Sequence, residues 1–168
     1  HGRTQERRGN ADAHLAPHGV YPAAGQDRWL ALAVCTEAQW QALCEVMQRP
    51  DLSHEARFST LATRLTHRAA LDTIVAAWTQ EHHASELEAM LQARGIPASA
   101  VHNSQELYGD PQLTQRGHFV RLPDPLHGTT TIEGSRFRLS RTPARLERAG
   151  PTLGRDNQYV LQTILGYS

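Results

Sequence analysis

Apolar residues are concentrated in one long run near the start of the chain, from Trp29 to Val34. The run is apolar on both of its faces, which predicts a strand over Arg28 to Val34 that is central rather than at the edge of a sheet. Thr36 and Gln39 follow with the spacing of a capping box, so a helix is predicted to begin there. Its apolar stripe, spaced by three and four residues, consists of Trp40, Leu43, Cys44 and Met47.

Two more amphipathic helices are predicted before residue 101. Thr66 is placed to cap the first, and Gly95 suits the left-handed position that ends the second. The first should bury Leu71, Ile74, Val75 and Trp78. The second, over about Ala84 to Arg94, should bury Leu87, Met90 and Leu91. Short strands at Gly19 to Tyr21 and at Ala98 to Val101 complete the predicted sheet.

The last third of the chain has shorter and less regular patterns. Two strands are predicted at Phe119 to Leu122 and Thr129 to Ile132. Arg136 to Leu139 alternates polar and apolar residues, which predicts a half-buried strand. Thr142 to Leu153 contains prolines and a glycine, which indicates an extended arm. Asp156 is placed to cap a final helix whose inward-facing residues would be Val160, Leu161, Ile164 and Leu165.

These patterns together predict an α+β fold. A small α/β domain, with a short sheet and about three helices, is followed by β-strands, an extended arm and a C-terminal helix. The predicted divisions are a linker over residues 1–18, the small α/β domain over 19–101 and a C-terminal segment over 102–168.

Composition narrows the class of protein. A formal net charge of zero over 168 residues gives no support to binding of nucleic acids or membrane surfaces. No apolar run approaches the ~18 residues of a membrane span, and the polar N-terminus lacks the apolar segment of a signal peptide, so we expect a soluble protein. Cys35 and Cys44 are too few for a disulfide framework and indicate reduced thiols in the cytoplasm. The chain does not begin with Met, and we expect it to be a piece of a longer protein.

Residue chemistry alone defines no complete catalytic site. All 17 basic residues are arginine, which excludes lysine chemistry on this chain. Cys35 lies between a predicted strand and a helix N-terminus, where the helix dipole favours a thiolate. It is therefore either a nucleophile or a small buried residue at a tight junction. The second interpretation is favoured, because the sequence fixes no histidine beside it. Cys44 lies on the apolar stripe and is predicted to be core.

The histidines and the arginines each suggest a further candidate site. In both cases a structural interpretation is favoured over a functional one. The ten histidines lack metal-binding spacings, and the adjacent His82 and His83 point apart on a helix. His14 and His18 could touch a ligand from a loop. A basic run could hold phosphates, but a solvated surface is favoured because no glycine-rich turn or aromatic residue accompanies it. The run consists of Arg136, Arg138, Arg141, Arg145 and Arg148.

An ordered set of short motifs along nearly the whole chain resembles the class III CoA-transferases, the CaiB/BaiF family. No single motif is decisive, but their order is fairly specific. The motifs are R-G-N at 8–10, A-P-H-G-V-Y at 16–21, W-L-A-L-A-V at 29–34, Q-W at 39–40, L-C at 43–44, R-F at 57–58, A-A-W-T at 76–79, G-I-P at 95–97, D-P-Q at 110–112, R-L-S-R-T-P at 138–143, L-G at 153–154 and L-G-Y-S at 165–168.

The resemblance implies that this chain is the C-terminal part of an enzyme that moves CoA from an acyl-CoA to a carboxylic acid. In the family, an aspartate in a preceding Rossmann-like half attacks the acyl-CoA and forms a covalent aspartyl intermediate. None of the aspartates here matches that position, so no catalytic residue is assigned, and the isolated chain is expected to be inactive. The CoA thioester is the substrate, and no cofactor or metal is expected.

The resemblance also implies a site and an assembly. Some family members carry a glycine-rich loop that closes over the intermediate. The matching residues here are Gly9, Asn10, Ala11, Asp12, Ala13 and His14, which lack the run of glycines. A homodimer of two interlocked chains is expected for the full-length protein. Two alternatives stay open: a 2-methylacyl-CoA racemase of the same family, and a non-catalytic lid or dimerisation module.

Overall fold

The chain folds into two compact units, His1–Val101 and His102–Ser168. The computed structural model describes residues 2, 7 and 9–167. Much of the first half of the predicted linker, including Arg8 of the first motif, therefore lies outside the described residues, as does Ser168. The mixture of helices with small antiparallel sheets confirms the predicted α+β class.

The first unit is a three-stranded antiparallel sheet with helices packed on one of its faces. Strands β1, β2 and β3 are adjacent in that order, so β2 is central as predicted. In the β1–β2 pair Val20 lies opposite Ala31, and in the β2–β3 pair Leu30 lies opposite Ala100. The elements in chain order are β1 (His18–Pro22), β2 (Trp29–Ala33), α1 (Glu37–Val46), a 3-10 turn (Pro50–Ser53), α2 (Leu61–Thr66), α3 (Arg68–Thr79), α4 (Ala84–Ala93) and β3 (Ala98–Ala100).

The two faces of β2 have different environments. Leu30 and Leu32 point into the helical layer and are buried, whereas Ala31 and Ala33 are only half-buried on the other face. The helical layer therefore covers one face of the sheet and leaves the face with small side chains partly open.

Helix α1 begins at the predicted capping box. The backbone N–H of Gln39 donates to Oγ1 of Thr36 over 3.2 Å, and Oε1 of Gln39 accepts from the backbone N–H of Thr36, also over 3.2 Å. Two orphan donors of the helix end are thereby satisfied. The predicted stripe is buried in full and forms the centre of the core, with Trp40, Leu43, Cys44 and Met47 at 6% exposure or less.

The prediction that Thr66 caps the second helix is wrong, because Thr66 is the last residue of α2. Thr60 is the cap of α2, and its side chain exchanges capping hydrogen bonds with Thr63. Helix α3 begins at Arg68 without a side-chain cap. The predicted burial of Met90 is also wrong: it is 40% exposed, since α4 packs through Leu87 and Leu91. Gly95 has φ of 72° and confirms the predicted left-handed position after α4.

The second unit contains a β-hairpin, two short helices and a long irregular segment. Its elements are α5 (Ser104–Tyr108), α6 (Pro111–Gln115), β4 (Phe119–Asp124), β5 (Gly128–Glu133) and a π-helical segment (Tyr159–Ile164). Strands β4 and β5 pair antiparallel, as a hairpin, at the predicted positions. Asp110 caps α6 by accepting from the backbone N–H of Leu113 over 2.7 Å.

Two predictions for the second unit are wrong. Residues 136–139 form no strand, and Phe137 is 80% exposed. The final segment is π-helical, and its four predicted inward-facing residues are 41% to 60% exposed. Asp156 pairs with Arg155 over 2.9 Å instead of capping that segment. The apolar spacing of the final segment is present in the sequence, but those side chains stay largely exposed in this structure.

The length and composition of a helix decide whether it could span a membrane. Among the described residues, no helix combines the length and the apolar character needed to cross a bilayer.

Candidate functional site

A groove of about 730 Å³ lies on the open face of the three-stranded sheet. Most of the strand residues that line this space are small, and the branched residues Val20 and Leu32 line it as well. A few polar groups reach it from Asn10, His18 and Gln92. The small residues that line it are Gly19, Ala31, Ala33, Ala98 and Ser99. An apolar concave surface with few polar groups is typical of ligand sites.

Half of the predicted site residues lie at the edge of this groove. Gly9, Asn10 and Ala11 line it, whereas Asp12, Ala13 and His14 are not among its lining residues. Gly9 has φ of 62°, a conformation that favours glycine. These six residues, 9–14, are called the 9–14 loop below.

The tip of the 9–14 loop is fastened to the start of β1 by His18. Nδ1 of His18 lies 2.8 Å from the backbone carbonyl oxygen of Asn10. A carbonyl oxygen only accepts, so Nδ1 is the donor in this hydrogen bond. The orientation of a histidine ring beside the groove is thus set by the loop backbone.

The base of the loop is fastened by Arg68, the first residue of α3. Its Nη2 donates to the backbone carbonyl oxygen of Asp12 and, over 3.0 Å, to that of Leu15. The Asp12 carboxylate accepts from the backbone N–H of His14 over 2.7 Å. This hydrogen bond holds the pKa of the Asp12 carboxyl below its usual range. The base is therefore a turn that is closed internally and bonded to a helix.

A second arginine, Arg64, attaches the residue that follows the loop base to the buried core. Its side chain is 2% exposed, and Nε donates to the carbonyl oxygen of Ala16 over 3.0 Å. Nη1 donates to the carbonyl oxygen of Phe58 over 3.1 Å, and the two terminal nitrogens contact the carboxylate of Glu37 over 3.0 and 2.7 Å. The hydrogen bond from Arg64 lowers the pKa of Glu37. The sequence from 12 to 16 is thus bonded through carbonyl oxygens to two arginines.

Tyr21 links β1 to α3 behind the loop. Its hydroxyl donates to Oδ1 of Asp72 over 2.7 Å. Burial, reinforced by the hydrogen bond to Asp72, raises the pKa of Tyr21 well above its ordinary value. The phenol is therefore neutral at physiological pH and serves as a hydrogen-bond donor between two elements.

The other candidate residues have structural or solvent-exposed positions. Cys35 is exposed, so the favoured interpretation of a buried junction residue is wrong; its backbone N–H donates to Oε1 of Gln39 over 2.7 Å. Cys44 is buried as predicted, and burial raises its pKa to about 12. Within residues 2, 7 and 9–167, no group of three or more His, Cys, Asp or Glu side chains could hold a metal ion. The arginines of the basic run are all exposed.

Arg64 and Arg68 were not singled out from the sequence. Both lie in amphipathic helices, where an arginine usually faces solvent. Glu88 was likewise not singled out, and its carboxylate accepts from the backbone N–H of Ala100 over 3.1 Å and joins α4 to the sheet edge. The signal that could have found Arg64 is its position one turn after a capping box, beside the apolar residues Leu61 and Leu65.

Comparison with known proteins agrees with this architecture. A solved CaiB/BaiF family protein from Brucella suis superposes with a TM-score of 0.79 at 23% identity, over 97% of this chain and 41% of that one. At this identity the likeness shows the fold.

Two relatives found by sequence have a higher identity to this chain than that solved structure does. The succinyl-CoA–D-citramalate CoA-transferase of Chloroflexus aurantiacus is 32% identical over 98% of this chain and 41% of its own length. The succinate–glutarate CoA-transferase of Agrobacterium fabrum is 30% identical over 95% of this chain and 40% of its own. This chain thus spans about two fifths of the length of these relatives. The sequence model of CoA-transferase family III matches residues 1–157. The chain belongs to CoA-transferase family III.

Proposed function

We propose that the whole protein transfers CoA from an acyl-CoA thioester to a carboxylic acid. The observation that carries this proposal is the match to CoA-transferase family III over residues 1–157. The two sequence relatives described above are named for succinyl-CoA or succinate and for a second dicarboxylic acid. Succinyl-CoA is therefore the first donor to test, with citramalate and glutarate as acceptors.

The proposed chemistry is covalent catalysis by a carboxylate. An aspartate attacks the thioester carbonyl, CoA thiolate leaves, and a mixed anhydride forms. The thiolate then attacks the aspartyl carbonyl, which releases the first acid and leaves an aspartyl-CoA thioester. The acceptor carboxylate repeats the two exchanges in reverse and departs as the new acyl-CoA. Each step exchanges one acyl bond for another, so no oxidant or external proton source is needed.

We propose that this aspartate lies outside the present chain. Every aspartate of the chain accepts a hydrogen bond in this structure, most of them in a turn, a helix cap or an ion pair, and two from the ring groups of Trp29 and Tyr21. They are Asp12, Asp27, Asp51, Asp72, Asp110, Asp124 and Asp156. None of these aspartates matches the position of the catalytic aspartate that the family resemblance implies. The 168-residue chain alone is accordingly expected to have no turnover.

The proposed contribution of this chain is the 9–14 loop with the groove beside it. The groove is lined by small residues and has a polar edge, which suits part of a long thioester substrate. The loop contributes main-chain groups at that edge, so contact with the acyl-CoA would not depend on a particular loop side chain. The protein is proposed to act in the cytoplasm as a homodimer, with the CoA thioester as its substrate and no further cofactor.

The direct test is an exchange assay on the full-length protein. Succinyl-CoA is incubated with carbon-13 labelled glutarate or citramalate, and the labelled CoA thioester is measured by mass spectrometry. Labelled acyl-CoA is the expected product. Its absence with every acid, together with loss of configuration at the α carbon of a 2-methylacyl-CoA, would overturn the transferase and favour racemisation. Turnover by the 168-residue chain alone would overturn the placement of the nucleophile.

A further inference from the structure

The 9–14 loop is bonded unequally at its two ends. At its base, a charged guanidinium from α3 reaches two carbonyl oxygens, those of Asp12 and Leu15. At its tip, one hydrogen bond, between the His18 ring and the carbonyl oxygen of Asn10, attaches the loop within the described residues. The base is thus held by two hydrogen bonds from one charged donor and the tip by a single one. The geometry therefore distinguishes a firmly held base from a more weakly held tip.

The environment of one terminal nitrogen of the Arg68 guanidinium strengthens this contrast. Nη1 of Arg68 is shielded from solvent and has no hydrogen-bond partner within the described part of the chain. A buried donor without a partner is unfavourable, so the bonds that Nη2 makes to the loop offset a cost that the fold already carries. Arg68 is therefore placed to keep the loop base in position, because its Nη2 donates to two carbonyl oxygens there.

We propose that Arg68 is a positioning residue for CoA transfer, which fixes the base of the 9–14 loop so that its tip is presented at the edge of the groove. Arg68 does not touch the substrate in this account. It acts through main-chain carbonyl oxygens, which explains how a loop without a run of glycines or a specific anchoring side chain can hold one conformation. The proposal rests on the proposed transferase function, since that function gives the loop its role.

The test compares Arg68→Met with Arg94→Met in the full-length protein. Arg94 is a matched control because it is an arginine of the same unit that is 54% exposed and pairs with Glu45 over 3.1 Å. Arg68→Met removes the donors and keeps an apolar stem. Two readouts are taken: hydrogen–deuterium exchange of the peptide covering residues 12–15, and steady-state transfer from succinyl-CoA.

In Arg68→Met, exchange of the loop-base peptide should accelerate by about tenfold or more, as expected for loss of charged hydrogen bonds. The turnover number should fall by about 10- to 100-fold with KM for acyl-CoA within about threefold, as expected when reacting groups lose their alignment. Arg94→Met should match the wild type in both. Arg68→Lys keeps the charge and should give intermediate values in both readouts. This variant also tests the proposal if Arg68→Met fails to fold.

The two readouts separate failure of this inference from failure of the proposed function. Unchanged exchange at residues 12–15 would overturn the positioning role even if the wild type is an active transferase. Faster exchange with unchanged turnover would overturn the link between loop and transfer. If the wild type transfers no CoA, the proposed function fails, and the exchange experiment still decides whether Arg68 holds the loop.

Discussion

Replacing Arg64 by methionine should destabilise the first unit more than replacement of any surface arginine. The side chain is 2% exposed and its donors reach the carbonyl oxygens of Ala16 and Phe58, two residues with no exposed surface. Methionine fills similar space but donates no hydrogen bond. Both carbonyl oxygens would then remain buried without a donor, because no solvent reaches them.

The size of the effect follows from those two acceptors. Leaving a buried acceptor unsatisfied costs about 1–3 kcal/mol, so two cost about 2–6 kcal/mol, and packing of the methionine stem recovers part of this. We therefore expect a loss of about 3 kcal/mol for Arg64→Met. Glu37 adds little to this figure, since its carboxylate is 54% exposed and can be hydrated instead. The matched control is Arg49→Met, whose ion pair with Asp51 is exposed on both sides and should contribute about 0–1 kcal/mol.

The assay is urea unfolding monitored by tryptophan fluorescence, with the free energy of unfolding obtained by linear extrapolation. Trp40 is a suitable probe because its ring centroid lies 5.1 Å from the Arg64 guanidinium carbon. A loss below about 1 kcal/mol, or one equal to that of Arg49→Met, would refute the view that Arg64 is required by buried carbonyl oxygens.

Glu37 gives the same ion pair a pH dependence. Because Arg64 lowers the folded-state pKa of Glu37 below its ordinary value of 4.5, the pair stabilises the fold fully above that value and less as pH falls through the folded-state pKa. Glu37→Gln should therefore be less stable than the wild type at pH 7. The difference between the two should shrink as pH falls below 4.5 and through the lowered folded-state pKa of Glu37, where the wild-type carboxyl becomes protonated. A difference that is constant with pH would contradict this account.

Two other predictions concern residues far from the loop. In the folded protein an aromatic disulfide reagent should label the exposed Cys35. Cys44 should react only after unfolding, because burial raises its pKa to about 12. Equal labelling rates in the folded state would contradict this. Gly95→Ala should lower the free energy of unfolding by about 1 kcal/mol because φ is 72° at that position. The control Gly109→Ala, at φ of −93°, should leave the free energy of unfolding nearly unchanged. Equal melting temperatures for the two variants would contradict the assumed strain of a left-handed alanine.

Local hydrogen-bond chemistry made several elements predictable. The capping box at Thr36 and Gln39, the apolar stripe of α1 and the left-handed Gly95 all depend on residues within one helical turn of each other, and the structure has each of them. Thr66 does not cap α3 because the chain is already helical there: Thr60 and Thr63 start the short helix α2, which ends at Thr66. Helix α3 then begins at Arg68 without a side-chain cap.

Long-range contacts were beyond the sequence pattern. Arg64 is buried because it meets a carbonyl oxygen 48 residues earlier in the chain, and no residue type signals a main-chain acceptor. The same holds for Arg68 and the loop. Residues 136–139 and the final segment show the opposite case, in which the apolar spacing is present but the apolar side chains are exposed. The 9–14 loop was reached through family resemblance, since its side chains carry no catalytic pattern.

The central claim is that the 9–14 loop and the adjoining groove contact acyl-CoA. It is tested most directly by hydrogen–deuterium exchange of the full-length protein with and without saturating succinyl-CoA. We expect slower exchange in the peptide covering residues 9–14, and in β1 along the groove, when the thioester is bound. Protection that appears elsewhere in the protein while residues 9–14 and β1 exchange at unchanged rates would contradict the account.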